Sequence, residues 1–350
     1  MTRTVFPFPA IWVAASLARQ ILFAGGVVSP SECQSGTELC GFEMPSTSNS
    51  TVESSSSQLN NTIIKPKRFV SNFLGGKPHP LLVELRGRLY ALAGNPTAYR
   101  SDVCFEVFDN KRCETWAPLT NPPLFHENSP FFLMAGPHNF SYAIAGTKIM
   151  VCTQDTPVFC FDVADPKQEW EILHSMCAGG PFPFVGRALV VDLQRHRRRR
   201  NRPGGTKDKL LFAYQETAED DWRIVAYHMY NNESRIRRIQ VLPPLARAPN
   251  RRWERNSSYS FAHLGGTKVC FVLASYSRDY EYPFNGSGEK MHLMVQTFEY
   301  SISKAYEPAT DSDDARSLSV KVLSTRIFEY DWRDEPHRTL CAELLGCFVL

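Results

Sequence analysis

The chain has 350 residues, 39 Lys and Arg against 36 Asp and Glu, and a net charge of +3. So small a charge over that length gives no global attraction to nucleic acid or to an anionic membrane. Apolar residues make up 43% and aromatics 12%, enough for a packed core and suited to strands, whose pleated surfaces accept flat rings. No apolar run reaches the roughly 18 residues of a membrane-spanning helix.

Residues 1–66 read as a leader, mostly disordered. Arg3 precedes an apolar segment from Val5 to Ala18, the order of a secretory signal, but Pro7, Pro9 and Arg19 interrupt it. The first acid is Glu32, which suits an organelle transit peptide equally, so three readings stay open: no signal, secretory, or transit. Ser46, Ser48, Ser50 and Ser54 to Ser57 then crowd a stretch with little to bury, which cannot offset its ordering entropy.

From residue 67 to 350 short apolar runs alternate with polar turns. Leu81 to Leu85 and Leu89 to Leu92 flank Arg86-Gly87-Arg88, a hairpin signal. Val103 to Phe108 ends at Asp109-Asn110, and Trp116 opens a fourth strand that Pro118 and Pro122-Pro123 stop. A second unit runs Ser141 to Ile144, a turn at Gly146-Thr147-Lys148, Ile149 to Cys152, Val158 to Val163 and Glu169 to Leu173. A third starts at Phe184-Val185-Gly186-Arg187 and Ala188 to Val191, and resumes at Lys209 to Tyr214 after a basic loop insertion at 194–207. Trp222 to Tyr230 and Ile236 to Leu242 complete it. A fourth runs Ser260 to Ala262, a turn at Gly265-Gly266, Val269 to Leu273, Met291 to Tyr300 and Leu318 to Leu323. Leu344 to Val349 reads as the opening of a fifth. With Gly87, Gly146, Gly186, Gly266 and Gly346 as a ruler, the spacings are 59, 40, 80 and 80 residues.

The first two units repeat one sentence: apolar strand, Leu89-Tyr90 or Ile149-Met150, then Phe108-Asp109 or Phe161-Asp162, a polar turn, and Trp116 or Trp170. A sheet unit of this kind cannot bury both faces alone, so copies must stack. The layout resembles the kelch family of β-propellers, and more specifically its divergent plant-type members. The carrying residues are Gly87-Arg88-Leu89-Tyr90 with Phe105 to Asp109 and Trp116, and Gly146-Thr147-Lys148-Ile149 with Val158 to Asp162 and Trp170. The resemblance covers residues 69 to 350 and implies an all-β, kelch-like propeller of four-stranded antiparallel blades, with ring closure left open. It departs from kelch blades in lacking their Gly-Gly pair: Ala93-Gly94 and Thr153-Gln154 stand there instead. Gly87, Tyr90, Asp109, Trp116, Gly146, Asp162, Trp170, Gly186 and Gly266 are the structural positions. The tryptophans fill gaps between blades, the aspartates tie turns, and the glycines accept backbone angles closed to other residues.

Little else carries chemistry. Cys104, Cys152, Cys160 and Cys270 sit inside apolar runs as reduced core thiols, pointing to a reducing compartment. No Cys-x-x-Cys or paired histidine suggests a metal, and no nucleophile or phosphate-loop motif is present. No catalytic, cofactor or metal residue is therefore assigned. Arg195, Arg197, Arg198, Arg199, Arg200 and Arg202 are exposed in any packing. A solvated insertion is the first reading, nuclear import the second and a polyanion contact the third.

The expectation is a monomeric, non-enzymatic module that binds a protein partner in the cytoplasm or nucleus, without cofactor, nucleic acid or membrane span. The resemblance adds a receptor role in ubiquitin ligation, although residues 1–66 hold no F-box-like segment. The alternative is a secreted copper radical oxidase on the same kind of propeller, whose Tyr, His and Cys ligands do not map onto positions here.

Overall fold

The computed structural model describes residues 72–77, 80–94, 103–108, 115–126, 128–130, 140–165, 167, 169–193, 209–216, 222–230, 235–242, 258–276, 290–304 and 316–331, with short strands ahead of residue 69. The described chain is all-β apart from two single turns of 3-10 helix. It divides into two compact units, residues 1–121 and 122–350, so the boundary falls inside the stretch from 67 onward that the repeat reading treats as one body.

In the first unit, β1 (Val13–Leu17), β2 (Gln20–Ala24), β5 (Leu39–Glu43) and β6 (Lys67–Arg68) form one sheet. The pair β3 (Val27–Ser29) and β4 (Gln34–Ser35) stands apart from it. Leu39, Cys40 and Phe42 are an apolar island in the serine-rich leader, and this island supplies β5. Residues 44–66 lie outside the described residues.

The unit's second sheet is an antiparallel meander of β7 (Leu81–Leu85), β8 (Arg88–Leu92), β9 (Phe105–Phe108) and β10 (Trp116–Pro118), in the order β10-β9-β8-β7. Gly87 makes its first turn at a φ of 72°, where a side chain is disfavoured. Leu89, Tyr90, Phe105, Phe108 and Trp116 are its buried residues.

The second unit repeats this meander three times. The strands are β11 (Ser141–Ala145), β12 (Lys148–Cys152), β13 (Phe159–Asp162) and β14 (Trp170–Ile172); then β15 (Gly186–Asp192), β16 (Lys209–Glu216), β17 (Trp222–Tyr230) and β18 (Arg235–Val241); then β19 (Ser258–Gly265), β20 (Lys268–Tyr276), β21 (Lys290–Lys304) and β22 (Arg316–Asp331). Each follows chain order from one edge to the other. The first two quartets join into one eight-stranded sheet through a parallel pairing of their first strands, Tyr142 opposite Arg187 and Ala143 opposite Ala188. The expected antiparallel four-stranded sheets are thus present within each quartet, and their expected separateness fails at this one seam.

Both faces of the middle quartet are covered. Leu211, Ala213, Val225, Tyr227 and Met229 pack with Ala143, Met150 and Cys160 of the quartet before it. Leu210, Phe212, Tyr214 and Ile224 pack with Phe261, Phe271 and Phe298 of the quartet after it. Neighbours on β16 thus enter different cores because side chains alternate across a strand.

Gly186 corrects the glycine ruler. It is not a hairpin turn: it opens β15, and Phe184 to Val191 contains one strand rather than two. The first hairpin of this quartet is closed instead by the long connection 193–208, with Asp192 opposite Lys209 at its base.

Candidate protein-binding interface

The repeated Phe-Asp…Trp sentence has a plain physical content. Phe108 on β9 stands directly opposite Trp116 on β10, and Phe161 on β13 directly opposite Trp170 on β14. Their ring centroids lie 5.4 Å and 5.2 Å apart. Each is a cross-strand aromatic pair, the unit of sheet stabilisation. Trp116 also meets Phe73 edge-on at 4.6 Å, and its buried indole N–H has no acceptor among the described residues.

Asp162 accepts the Thr147 hydroxyl at 2.6 Å and the Ala164 amide at 2.9 Å. That binds the turn after β13 to the Gly146-Thr147 turn. In the last quartet Thr267, beside Gly266, donates to Glu299 at 3.1 Å, a second version of the same clasp. Tyr90 is buried with its ring 6.2 Å from Phe105. Asp109 and the arginines from Arg195 to Arg202 lie outside the described residues. The described positions are spread over three sheets, β7–β10, the eight strands β11–β18, and β19–β22.

The β7–β10 sheet also holds an ion pair with no motif to announce it. Lys77 and Glu106 are fully buried and bonded to each other. Lys77 also donates to the carbonyls of Gly75 and Val103 at 3.2 and 3.1 Å. Glu106 also accepts the amides of Leu74 and Gly75 at 2.9 and 3.1 Å. Burial of the ammonium outweighs the attraction of Glu106 and holds the Lys77 pKa below the usual lysine range. The pair bonds the segment before β7 to β9, a structural task.

The free surface tells more. Among the described residues, seven large apolar side chains are exposed, and four of them fall within seven positions of β22: Val322 (46%), Leu323 (41%), Ile327 (45%) and Phe328 (50%). β22 is the outer strand of its quartet and, among the described residues, pairs with β21 alone. An outer strand leaves alternate N–H and C=O groups free for another chain.

The register with β21 sorts the side chains. Val322 lies opposite buried Phe298, and Ile327 opposite buried Met294, so both stand on the core-side face. Lys321, Arg326 and Phe328 lie opposite Glu299, Val295 and Leu293 on the other face. The pairing skips Leu323, a bulge between the two stretches. Lys321 and Arg326 are exposed. The strand therefore offers apolar side chains on both faces, free backbone groups on one edge and two cations. A linear reading does not find this, because Val-Lys-Val-Leu-Ser-Thr-Arg-Ile-Phe reads equally well as an inner strand.

Among the described residues, Cys104, Cys152, Cys160, Cys177 and Cys270 are in no disulfide. Among the described residues no group of three or more His, Cys, Asp or Glu is arranged to hold a metal, and no helix is long and apolar enough to cross a membrane.

A sequence family described as "Protein of unknown function (DUF1668)" matches residues 71–325. No curated protein matches. Two solved structures are similar at 10% identity. One, described as "Structure of YjhT", aligns with a TM-score of 0.34 over 75% of this chain and 80% of its own. The other, described as "Structure of a new family of Polysaccharide lyase PL25-Ulvanlyase", aligns with a TM-score of 0.35 over 93% and 82%. Scores this low bear on neither chemistry nor fold detail.

Proposed function

We propose that this chain, which belongs to the DUF1668 family, is a non-enzymatic docking module of propeller type that captures an extended segment of a protein partner along β22. The observation that carries the reading is the exposed apolar side chains on an outer strand. A patch of this kind on a solvated surface signals a contact, and an edge with unpaired backbone groups takes a strand by main-chain hydrogen bonds. Lys321 and Arg326 set the chemistry of the occupant, which carries acids opposite them and apolar residues opposite Val322, Ile327 and Phe328. The propeller reading is supported by the quartets of the second unit, whose middle member is covered on both faces, and by the parallel pairing of β11 and β15. First strands arranged around a common axis run in one direction. A receptor role in ubiquitin ligation is the narrower form that the kelch resemblance adds; it would show as a ligase scaffold retained by the wild-type chain and lost with the edge variants below.

A half-exposed Ile or Phe that becomes buried contributes about 1 kcal/mol, half of its full transfer value. Together with an introduced charge, Ile327→Asp and Phe328→Glu should each weaken capture tenfold or more. Selection of extended peptides from a random displayed library against the full chain tests this. Enrichment of alternating acidic and apolar residues, with binding lost in both variants, is the expected result. Peptides that bind both variants as they bind the wild type would remove β22 as the docking edge.

A further inference from the structure

The parallel seam between β11 and β15 brings together groups that the docking reading leaves unused. Tyr142 and Arg187 are register partners across it, on strands about 4.8 Å apart, so their side chains leave the sheet on one face. Both are half-buried. Among the described residues, neither the Tyr142 hydroxyl nor the Arg187 guanidinium has a hydrogen-bond or ion-pair partner. The guanidinium is close enough to pull against the rise that burial gives the Tyr142 pKa.

Tyr259 of β19 is a third member. Its proximity to Tyr142 adds to the rise that burial imposes on its own phenol. Its hydroxyl donates to the Val185 carbonyl, and it sits against Gly186, where an added Cβ would meet the Tyr259 oxygen at 2.8 Å. Gly186, at a φ of 80°, thus lets this ring close over the seam. Phe140 flanks Tyr142, with centroids 6.4 Å apart.

We infer that the place where β11, β15 and β19 meet is a binding site for a small organic carboxylate on a planar body. The Arg187 fork and the Tyr142 hydroxyl would hold the carboxylate oxygens, and the rings of Tyr142 and Tyr259 would border the body. One unpaired cation matches one negative charge, and the guanidinium fork presents paired donors at carboxylate spacing. A phosphate dianion would call for a second cation, and among the described residues none accompanies Arg187 in the seam. The site is independent of β22, and its failure would leave the docking edge untouched.

Titration of the full chain with benzoate, followed by saturation-transfer NMR of the probe, tests the assignment, with neutral benzamide as the control. Saturable benzoate binding is expected, with benzamide at least tenfold weaker. Arg187→Ala should lose tenfold or more, Arg187→Lys should recover part of that, and Tyr142→Phe should lose a few-fold. If the alanine variant does not fold, Tyr142→Phe and the benzamide comparison still decide. No saturable benzoate binding by the wild type, equal binding of benzamide, or benzoate affinity unchanged in Arg187→Ala or Tyr142→Phe would each overturn the site.

Discussion

At the scale of the residue, Gly186 and the Lys77–Glu106 pair have the largest consequences. Gly186 combines a left-handed backbone with a neighbour that leaves no room for a methyl group. Gly186→Ala should therefore lower stability by about 2–4 kcal/mol, the sum of backbone strain and a displaced, partly buried hydrogen bond. Urea unfolding would measure it. Tyr259→Phe alone should cost about 1 kcal/mol, and the double variant less than the sum, because the phenylalanine ring lacks the atom that clashes.

The buried pair behaves differently. Removing either Lys77 or Glu106 strands the other charge, at about 3–5 kcal/mol. Lys77→Met with Glu106→Gln should cost less than the two single changes together. The folded state holds the Lys77 pKa below the unfolded value of about 10.4. Between those two values the unfolded chain binds the extra proton, so stability rises with pH across that window. Lys77→Met should remove this part of the rise, visible in unfolding free energies taken from neutral to alkaline pH. A slope unchanged in the variant would deny Lys77 its part.

At the scale of the element, the meanders were legible where their turns are short. Arg86-Gly87 and Gly146-Thr147 are two-residue connections between alternating or apolar runs, and the strands around them fall within a residue or two of the boundaries the pattern suggests. The third quartet misled because its first hairpin has no short turn. Residues 193–208 stand there, and Gly186, a glycine needed for a tertiary contact, resembles a turn. The basic run thus lies in the connection between Asp192 and Lys209, which form an ion pair at 2.6 Å. Replacing Arg197 to Arg200 with Ala should leave unfolding within about 0.5 kcal/mol of the wild type. If the run directs nuclear import, the same variant should abolish nuclear accumulation of a tagged chain; unchanged accumulation would leave the insertion merely solvated. β21 and β22 extend to 304 and 331, well past the apolar windows Met291 to Tyr300 and Leu318 to Leu323. In β22 the pairing runs on through Ser324, Thr325 and Arg326, which interrupt the apolar signal before Ile327 and Phe328 resume it.

At the scale of the whole molecule, the thiols report on what is packed. Burial pushes Cys152 and Cys177 up to about 12, so at pH 8 only about one thiol in ten thousand is ionised at each site. Alkylation of these two by iodoacetamide should be slow in the native chain and faster by orders of magnitude in urea, as mapped by mass spectrometry. Rapid native labelling of Cys152 would mean that the core it shares with Met150 and Phe182 opens readily.

Composition and pattern by themselves determined that the chain is built from strands, that they come as hairpins in meanders, and that Phe108 and Trp116, like Phe161 and Trp170, belong to one repeated unit. Such facts are local: strand period, turn chemistry and cross-strand pairs act over a few residues. Tertiary structure alone decided that β11 and β15 run side by side in parallel, that Lys77 finds Glu106, that Gly186 serves Tyr259, and that β22 keeps its apolar side chains in water. Each of these depends on which distant segment arrives as a neighbour. Burial and pairing are properties of the neighbour as much as of the residue, so no window of sequence contains them.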